Sequence, residues 1–208
     1  MIKPQSLPFE AAIKFWKDKL KLSAAEYYSL SEEARTRAFA VSGIAKLTEL
    51  ETIYDSLYRA IEGKITFAGF KKEVATIAAN RGFKTYRLDN IFRTNVQSSY
   101  MAGRWSQIQK AKKYRPYAMY SAVRDKITRA IHYALHGKVY PVDHPFWDTW
   151  FAPNGFKCRC TVKTLSERQV KARGLKVESR DITGDMVQPV SKDGIKLLPV
   201  NLLPDPYL

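Results

Sequence analysis

The side chains best suited to bind a metal ion or to act as nucleophiles are concentrated in residues 125–165. This segment contains all three histidines of the chain, His132, His136 and His144, and both cysteines, Cys158 and Cys160. Two of the four tryptophans also lie in it. Because these residue types are scarce elsewhere, we expect the segment to hold either the most specific chemistry of the protein or its most specific folding device.

The histidines and cysteines are spaced so that they can surround one metal ion. His132 and His136 are four residues apart, so a helix places both imidazoles on one face. Cys158 and Cys160 are two residues apart, so a strand places both thiols on one side, although this spacing is closer than usual in zinc sites. Imidazole and thiolate are ligands that Zn²⁺ prefers. The spacing is therefore compatible with a structural zinc site with four ligands: His132, His136, Cys158 and Cys160.

The same residues have a second interpretation that requires no metal. A buried cysteine behaves as a small apolar residue, and a buried histidine is usually hydrogen bonded by its neighbours. Cys158 and His132 can therefore be packing residues, and their spacing alone does not decide between this role and a zinc site.

A third interpretation is nucleophilic catalysis. A thiolate of either cysteine can be activated by His132, with Arg159 lowering the thiol pKa and Asp125 or Asp143 orienting the imidazole. The sequence shows no recognisable oxyanion hole, and its Gly-Lys pairs lack the glycine pattern of a phosphate-binding loop. We therefore predict that the protein is not an enzyme. The alternative is a metal- or thiol-dependent hydrolase centred on His132 and the two cysteines.

The chain is strongly basic, with 35 Lys and Arg against 20 Asp and Glu and a formal charge of +15. Such an excess favours polyanionic partners, nucleic acid first and an anionic membrane surface second, although a solvated surface without a dedicated ligand fits equally well. Residues 81–115 hold nine basic residues, one acid and interleaved aromatic residues. We predict salt-dependent, sequence-independent DNA contacts in this segment. The candidates are Arg93, Arg104, Lys110, Lys112, Lys113 and Arg115.

The pattern of apolar residues predicts an α+β protein with four parts. Residues 1–80 form a helical region, 81–115 a long basic helix, 116–175 a small β-containing module, and 176–208 an extended tail that orders against a partner. Strands are expected at 117–123, 139–142 and 158–165, with a short helix at 126–136. No secretion signal or apolar run long enough to cross a membrane is present, which indicates reduced thiols in the cytosol.

Local signals set the expected boundaries of the N-terminal helices. Ser23, Ser31 and Thr66 precede helical patterns and are predicted N-caps. Residues 32–61 are expected to form one or two helices with a break near Ser42-Gly43. The segment FAGFKKEVATIAAN is predicted to be a single helix that ends at Arg81-Gly82.

Residues 125–165 contain Arg129-x-x-His132, then Pro141-x-Asp143-x-Pro145-Phe146-Trp147, then Pro153-x-Gly155-x-x-Cys158-Arg159-Cys160. This order of motifs resembles that of the phage Mu F-like minor head proteins, the phage head morphogenesis family. Upstream, FRTNVQSSYMAGRW and the opening PFEAAIKFWKDKL are also similar to this family, so the resemblance spans residues 8 to about 170. Members of the family are often longer than this chain. The matching positions are Arg129, His132, Leu135, Gly137, Pro141, Asp143, Pro145, Phe146, Trp147, Pro153, Gly155, Cys158, Arg159 and Cys160.

The resemblance implies a role in the assembly of a tailed double-stranded DNA phage or prophage. It implies a minor capsid protein, present in the virion and in the host cytoplasm, that associates with the portal and other capsid or scaffold proteins and acts in DNA packaging or delivery. Other residue types are commoner in the family at His136 and His144, which leaves His132, Cys158 and Cys160 as the core of a zinc site. The expected framework of the module is Arg129, Gly137, Asp143, Trp147 and Arg159.

Overall fold

The chain folds into two compact units, Met1–Arg104 and Trp105–Leu208. The structure is a computed structural model and describes residues 9–35 and 38–203. The first unit, called here the N-terminal unit, is mainly helical, and the second, the C-terminal unit, combines short helices with a three-stranded sheet. The predicted α+β class is therefore confirmed. The boundary between the units falls inside a long helix.

Local capping signals place the helices of the N-terminal unit as expected. Ser23 forms a capping box with Glu26, in which the Glu26 amide donates to Ser23 Oγ and the Ser23 amide donates to the Glu26 carboxylate. Ser31 Oγ and Thr66 Oγ1 each accept a first-turn amide. The elements are α1 Glu10–Lys17, β1 Leu20–Lys21, α2 Ala24–Ser29, α3 Glu32–Arg35, β2 Ala38–Phe39, α4 Leu47–Ile61, α5 Phe67–Glu73, α6 Ala75–Asn80 and α7 Thr85–Ala111.

Three buried aromatic rings form the centre of the N-terminal unit. The Trp16 ring of α1 lies 4.8 Å from the ring of Tyr54 and 5.1 Å from that of Phe39. The Tyr54 hydroxyl donates to the Trp16 carbonyl oxygen at 2.8 Å, so its polar end is satisfied inside the core. The apolar stripes of α1 and α4 pack around these rings.

Two predictions for the N-terminal helices are wrong. Residues 38–39 are not helical but form β2, which pairs in parallel with β1, because Phe39 is held between Trp16 and Tyr54 in the core. This tertiary contact overrides the helical spacing of the local sequence. The single helix predicted from residue 67 is divided at Val74 into α5 and α6. The predicted break at Ser42-Gly43 is confirmed, since Gly43 has φ +79° and α4 begins at Leu47.

The long helix predicted before Pro116 is confirmed as α7, and its backbone approaches α1 very closely at Gly103. A Cβ atom at this position would lie 2.6 Å from the Ala12 amide nitrogen. One turn of α7 earlier, the ring of Tyr100 stacks on Phe9 at a centroid distance of 5.8 Å. Only glycine allows this crossing, because any Cβ would meet main-chain atoms.

A central strand organises the C-terminal unit. β3 (Tyr117–Ser121) lies between β4 (Val139–Pro141) and β5 (Thr161–Leu165), and both neighbours are antiparallel to it. The predicted strands at 117–123 and 139–142 are confirmed, but the third begins at Thr161. The two cysteines therefore precede the strand and do not lie on it. The remaining elements are α8 Ala130–Leu135, α9 Phe146–Trp150, α10 Glu167–Ala172, β6 Met186–Val187 and β7 Val200–Asn201.

An aromatic cluster anchors the turns between β4 and β5. Phe146 stacks on Tyr140 with a centroid distance of 4.0 Å, and Trp147 packs edge-on against Phe146. The Trp147 indole N–H donates to the Pro141 carbonyl at 2.9 Å. These side chains are buried, so their packing holds the turns against the sheet.

Residues 176–203, the described part of the predicted extended tail, pack against the rest of the C-terminal unit. Val177 bridges to Val139 of β4, and β6 pairs with β7. Ile182 and Leu202 are buried, so this segment has apolar contacts within its own unit. None of the described helices is long and apolar enough to span a membrane.

Candidate metal centre

Three potential metal ligands from two separate segments meet in the C-terminal unit. His132 extends from α8, and Cys158 and Cys160 come from the turn before β5. His132 Nδ1 lies 3.2 Å from Cys160 Sγ and 3.9 Å from Cys158 Sγ. The side-chain ligand atoms all lie within 4.8 Å of one another, and the two cysteines do not form a disulfide. His132, Cys158 and Cys160 are called here the His-Cys-Cys cluster.

The cluster is almost completely removed from solvent. His132 is 4% exposed, Cys158 7% and Cys160 2%. Burial of three groups that bind protons or metals costs free energy unless they are hydrogen bonded or coordinated. The arrangement therefore has the burial expected of a structural centre, and the same burial disfavours a nucleophile that must reach a substrate.

The two thiols ionise as a pair. The hydrogen bond between them lowers the pKa of Cys158, and His132 lowers it further, against the effect of burial. The same contact with Cys158 raises the pKa of Cys160, and burial acts in the same direction. One thiolate of the pair is therefore favoured over two in the absence of a bound cation.

Arg129 fixes the start of α8 relative to the turn that leads to the cysteines. It is the N-cap residue of α8, and its guanidinium donates to the Asn154 carbonyl at 2.8 Å and to the Phe156 carbonyl. Because His132 lies one turn into α8, these bonds set its distance from the cysteine segment. Arg129 therefore positions the histidine.

A second arginine holds the cysteine segment against the loop before α8. Arg159 donates two parallel hydrogen bonds to the Asp125 carboxylate, at 2.6 and 2.7 Å. Asp125 also accepts from the Ile127 amide and the Thr128 hydroxyl. The Arg159 bonds hold the pKa of Asp125 well below its usual range. Asp125 is thus bonded to Arg159. The catalytic interpretation requires it to orient His132 instead, so the observed pairing does not support that interpretation.

Two non-glycine residues near the cluster adopt left-handed backbone conformations. Arg124 has φ +47° and Lys157, directly before Cys158, has φ +59°. Such conformations are uncommon for residues with a Cβ and persist where the surroundings impose them. The backbone on both sides of the cluster is therefore held in an unfavourable geometry, as often observed at functional sites.

Sequence reasoning missed two polar residues that line the cluster. Tyr120 of β3 is fully buried, its ring lies 6.4 Å from that of His132, and burial raises its pKa well above the usual value. The Asn154 side-chain amide donates to the Tyr120 hydroxyl and to the Trp150 carbonyl. Alternate side chains of β3 are buried, and this pattern could have identified Tyr120 as an inward-facing residue. Asn154 lies in a Pro-Asn-Gly sequence, which predicted a turn but gave no indication of a contact with the cluster.

A cavity of about 220 Å³ opens at the cluster. Its walls combine apolar residues with cationic and polar ones, and the three members of the cluster are part of its lining. The cluster can therefore be reached by a small molecule or ion, although the ligand atoms are buried. The other lining residues are Val123, Ile127, Thr128, Arg129, Phe156, Lys157 and Arg159.

The structure does not bring the fourth predicted ligand, His136, into the cluster. His136 caps the C-terminus of α8, and its Nδ1 accepts a hydrogen bond from the Ala122 amide at 3.1 Å. The helix ends before it completes the turn that would align His136 with His132. Within residues 9–35 and 38–203, the group of side chains suited to hold a metal consists of three members, not four.

The predicted framework residues divide into two groups. Arg129, Arg159 and Trp147 make the bonds described above. Gly137 has φ +82° directly after the cap of α8, and its amide donates to the Tyr120 carbonyl, so it links the helix to β3. Asp143 instead forms an exposed ion pair with Lys112 at 2.8 Å, so it is bonded to the basic segment.

The candidate DNA-binding residues have different surroundings. Arg93 pairs with Asp89 along α7, Lys112 pairs with Asp143, and Lys113 lies over the Tyr114 ring. Arg115 donates to the Thr164 hydroxyl at 2.7 Å and to the Gln169 side chain at 3.0 Å, so it joins the end of the basic segment to β5 and α10. Lys110 is exposed, and Arg104 is partly buried. Arg115 therefore has a structural role.

Comparison with known proteins identifies relatives among phage proteins. The chain is 35% identical over 179 residues to the "Mu-like prophage FluMu F protein" of Haemophilus influenzae, an alignment that covers 79% of the chain. It is 30% identical over 190 residues to the "Putative capsid assembly protein F" of Escherichia phage Mu, with 82% of the chain covered. The chain spans 43% of the length of each relative. No solved structure matches it significantly.

The sequence profile described as "Phage Mu protein F like protein" matches residues 51–163. This range begins in α4 and includes α7, β3, β4 and all three members of the His-Cys-Cys cluster. It covers more than half of the chain, so the resemblance noted from the motifs is confirmed. This chain is a member of the phage Mu F-like protein family.

Proposed function

We propose that the protein is a non-enzymatic minor head protein that acts in capsid assembly of a tailed double-stranded DNA phage or prophage. It associates with the portal and with other capsid or scaffold proteins, and it touches DNA without sequence preference during packaging or delivery. It is made in the host cytoplasm and retained in the phage head. The observation that carries this proposal is the family match over residues 51–163, together with a relative whose name describes capsid assembly.

The charge of the chain supports the DNA-contact part of the proposal. The formal charge is +15, and a protein that works beside packaged DNA gains from such an excess. Exposed lysines lie at the end of α7 and just after it, at Lys110, Lys112 and Lys113. Flexible cations at exposed positions suit phosphate contacts, which need charge more than fixed geometry.

The burial of the His-Cys-Cys cluster supports the non-enzymatic part of the proposal. A thiol-dependent hydrolase requires a thiolate and an imidazole that both reach the substrate. Here His132, Cys158 and Cys160 are each more than nine-tenths buried, and the cavity beside them, about 220 Å³, is smaller than a usual substrate pocket. Arg129 and Arg159 bond to loop carbonyls and to Asp125. These features favour a folding device over a catalytic site.

Copurification from phage particles tests the assembly role. A tagged chain expressed during prophage induction should be recovered in purified procapsids and heads and, after mild disruption of the heads, in the fraction that holds the portal. Recovery in heads but never with the portal would contradict portal association. Absence from procapsids and heads would contradict the proposed function as a whole.

A salt titration tests DNA contact. Binding to a random-sequence duplex should weaken as salt rises, and replacement of Lys110, Lys112 and Lys113 with glutamate should reduce the slope by about 0.9 for each phosphate that these lysines neutralise in the wild type. A control variant with glutamate at three other exposed lysines of the same unit, Lys171, Lys192 and Lys196, should keep the wild-type slope. Equal slopes in all three proteins would remove this segment from the DNA interface.

A further inference from the structure

We propose that His132, Cys158 and Cys160 bind one Zn²⁺ ion, and that the fourth ligand is an exchangeable water molecule supplied through the adjoining cavity. The proposal concerns the fold of the C-terminal unit and does not depend on the proposed role in capsid assembly. It rests on the distances within the cluster, its burial and the opening beside it.

The distances agree with a tetrahedral ion. With Zn–S bonds of about 2.3 Å and a Zn–N bond of about 2.0–2.1 Å, tetrahedral geometry places nitrogen about 3.6 Å from each sulfur and the sulfurs about 3.8 Å apart. The observed Nδ1–Sγ distances of 3.2 and 3.9 Å lie on either side of the nitrogen–sulfur distance of about 3.6 Å expected for a tetrahedral zinc ion. Shifts of a few tenths of an ångström would therefore complete the coordination.

The electrical balance of the buried group also favours a dication. Two thiolates and a neutral imidazole carry a charge of −2, which one Zn²⁺ neutralises, so the occupied cluster has no net charge to bury. Arg159 interacts electrostatically with both cysteines, but its guanidinium is already paired with the Asp125 carboxylate. Arg129 is bonded to the Asn154 carbonyl. The charge of Arg159 is therefore shared with Asp125, which leaves a net negative charge for a dication to neutralise.

The protein around the cluster holds its ligands in place before any ion arrives. The Arg129 bonds fix the helix that carries His132, and the Arg159–Asp125 pair fixes the residue between the two cysteines. Orientation of ligands by surrounding hydrogen bonds is characteristic of metal centres. The left-handed backbone at Lys157 turns the chain directly before Cys158.

The fourth position is assigned to water because the described chain offers three ligands and a cavity. His136 is bonded elsewhere, and the cluster forms part of the wall of an opening of about 220 Å³. A space of this size holds several water molecules. Three protein ligands plus water is the arrangement of an open zinc site, in contrast to a closed four-ligand structural site.

Metal analysis of the full chain, purified without chelator, tests the stoichiometry. We expect about one zinc per chain in the wild type, and loss of that zinc in Cys158→Ser and Cys160→Ser. His136→Gln is the matched control, because it removes a histidine of the same helix end that is outside the cluster, and it should keep one zinc. The proposal would be overturned if the wild-type protein contained no metal and both of its thiols reacted freely with a thiol reagent. Zinc retained in both serine variants would also overturn it.

Cobalt substitution tests the geometry without relying on variants that fail to fold. The Co²⁺-loaded wild type should show the intense visible bands of a tetrahedral ion and near-ultraviolet charge transfer from thiolate. Addition of azide should shift the visible bands, because it replaces a water ligand. Weak octahedral bands without thiolate charge transfer would overturn the cluster as the site. A tetrahedral spectrum unaffected by azide would overturn the exchangeable fourth position.

Discussion

Replacement of Gly103 with alanine is expected to destabilise the protein, although alanine is ordinarily the more favourable residue inside a helix. Gly103 lies where α7 crosses the backbone of α1. A Cβ atom there would be 2.6 Å from the Ala12 amide nitrogen and 2.9 Å from the Ala11 carbonyl carbon. Rotation of a side chain cannot relieve contacts with main-chain atoms. Since ordinary contact begins near 3.4 Å, the helices must separate by about 0.8 Å at this point.

Two opposing contributions set the size of the effect. The intrinsic preference for alanine over glycine in a helix contributes about 1 kcal/mol of stability. Overpacking costs about 1–3 kcal/mol, and a gap of about 0.5–1 Å forfeits a quarter to a half of the dispersion energy of neighbouring contacts. Ala12 and Trp16 of α1 share a buried cluster with Leu88 of α7, so such contacts are present. Because the contact is between backbones, we expect the cost to dominate, with a net loss of about 1–2 kcal/mol.

Urea unfolding followed by far-ultraviolet circular dichroism measures this difference in the free energy of unfolding. Ser106 is an exposed position of the same helix, so Ser106→Gly and Ser106→Ala form the control pair. The alanine variant of that pair should be more stable by about 1 kcal/mol. If Gly103→Ala were stabilised by the same amount, the close approach of α1 and α7 would be refuted.

Three further predictions concern the C-terminal unit. Asp125→Asn should destabilise it at pH 6, and the difference from wild type should shrink as the pH falls from about 5 to 2. The reason is that the stability from the depressed pKa of Asp125 is complete above the unfolded pKa of about 3.9 and is lost as the pH falls toward the lower folded pKa. Thermal unfolding across pH measures this, and a constant difference would contradict it. Trp147→Phe should cost about 0.5–1.5 kcal/mol in urea unfolding, because the Pro141 carbonyl loses the indole donor and keeps only the His144 amide, and unchanged stability would contradict that role. Ser166→Ala should cost about 1 kcal/mol by loss of the capping box, whereas Ser166→Asp should retain most of the stability; an equal loss in both would exclude capping as the cause.

Local signals in the sequence predicted the elements whose formation depends on neighbouring residues. Ser23, Ser31 and Thr66 begin helices because a hydroxyl that accepts a first-turn amide needs no distant partner. The long α7 and the strands at 117–121 and 139–141 followed from apolar spacing and from Pro116, which cannot continue a helix.

Elements that depend on distant contacts were not predictable in this way. Ala38 and Phe39 have helical spacing, but pairing with β1 and packing on Trp16 make them a strand. Whether His132 or His136 approaches the cysteines depends on where α8 ends, and a spacing of four residues cannot show this. In the catalytic interpretation Asp125 was one of two candidates to orient the histidine, but Arg159, more than thirty positions away, binds it instead.

The strand order of the C-terminal unit determines when this part of the chain can fold during synthesis. β3 ends at Ser121, but its partner β5 begins only at Thr161, so one side of the central strand has no partner until most of the unit has been made. An unpaired strand edge readily joins other chains, and slow long-range pairing prolongs its exposure. The segment that closes this edge directly follows the two cysteines. Sheet completion and delivery of the cysteines to His132 are therefore a single late event, and nascent chains stalled between 142 and 160 expose an edge that is open to aggregation.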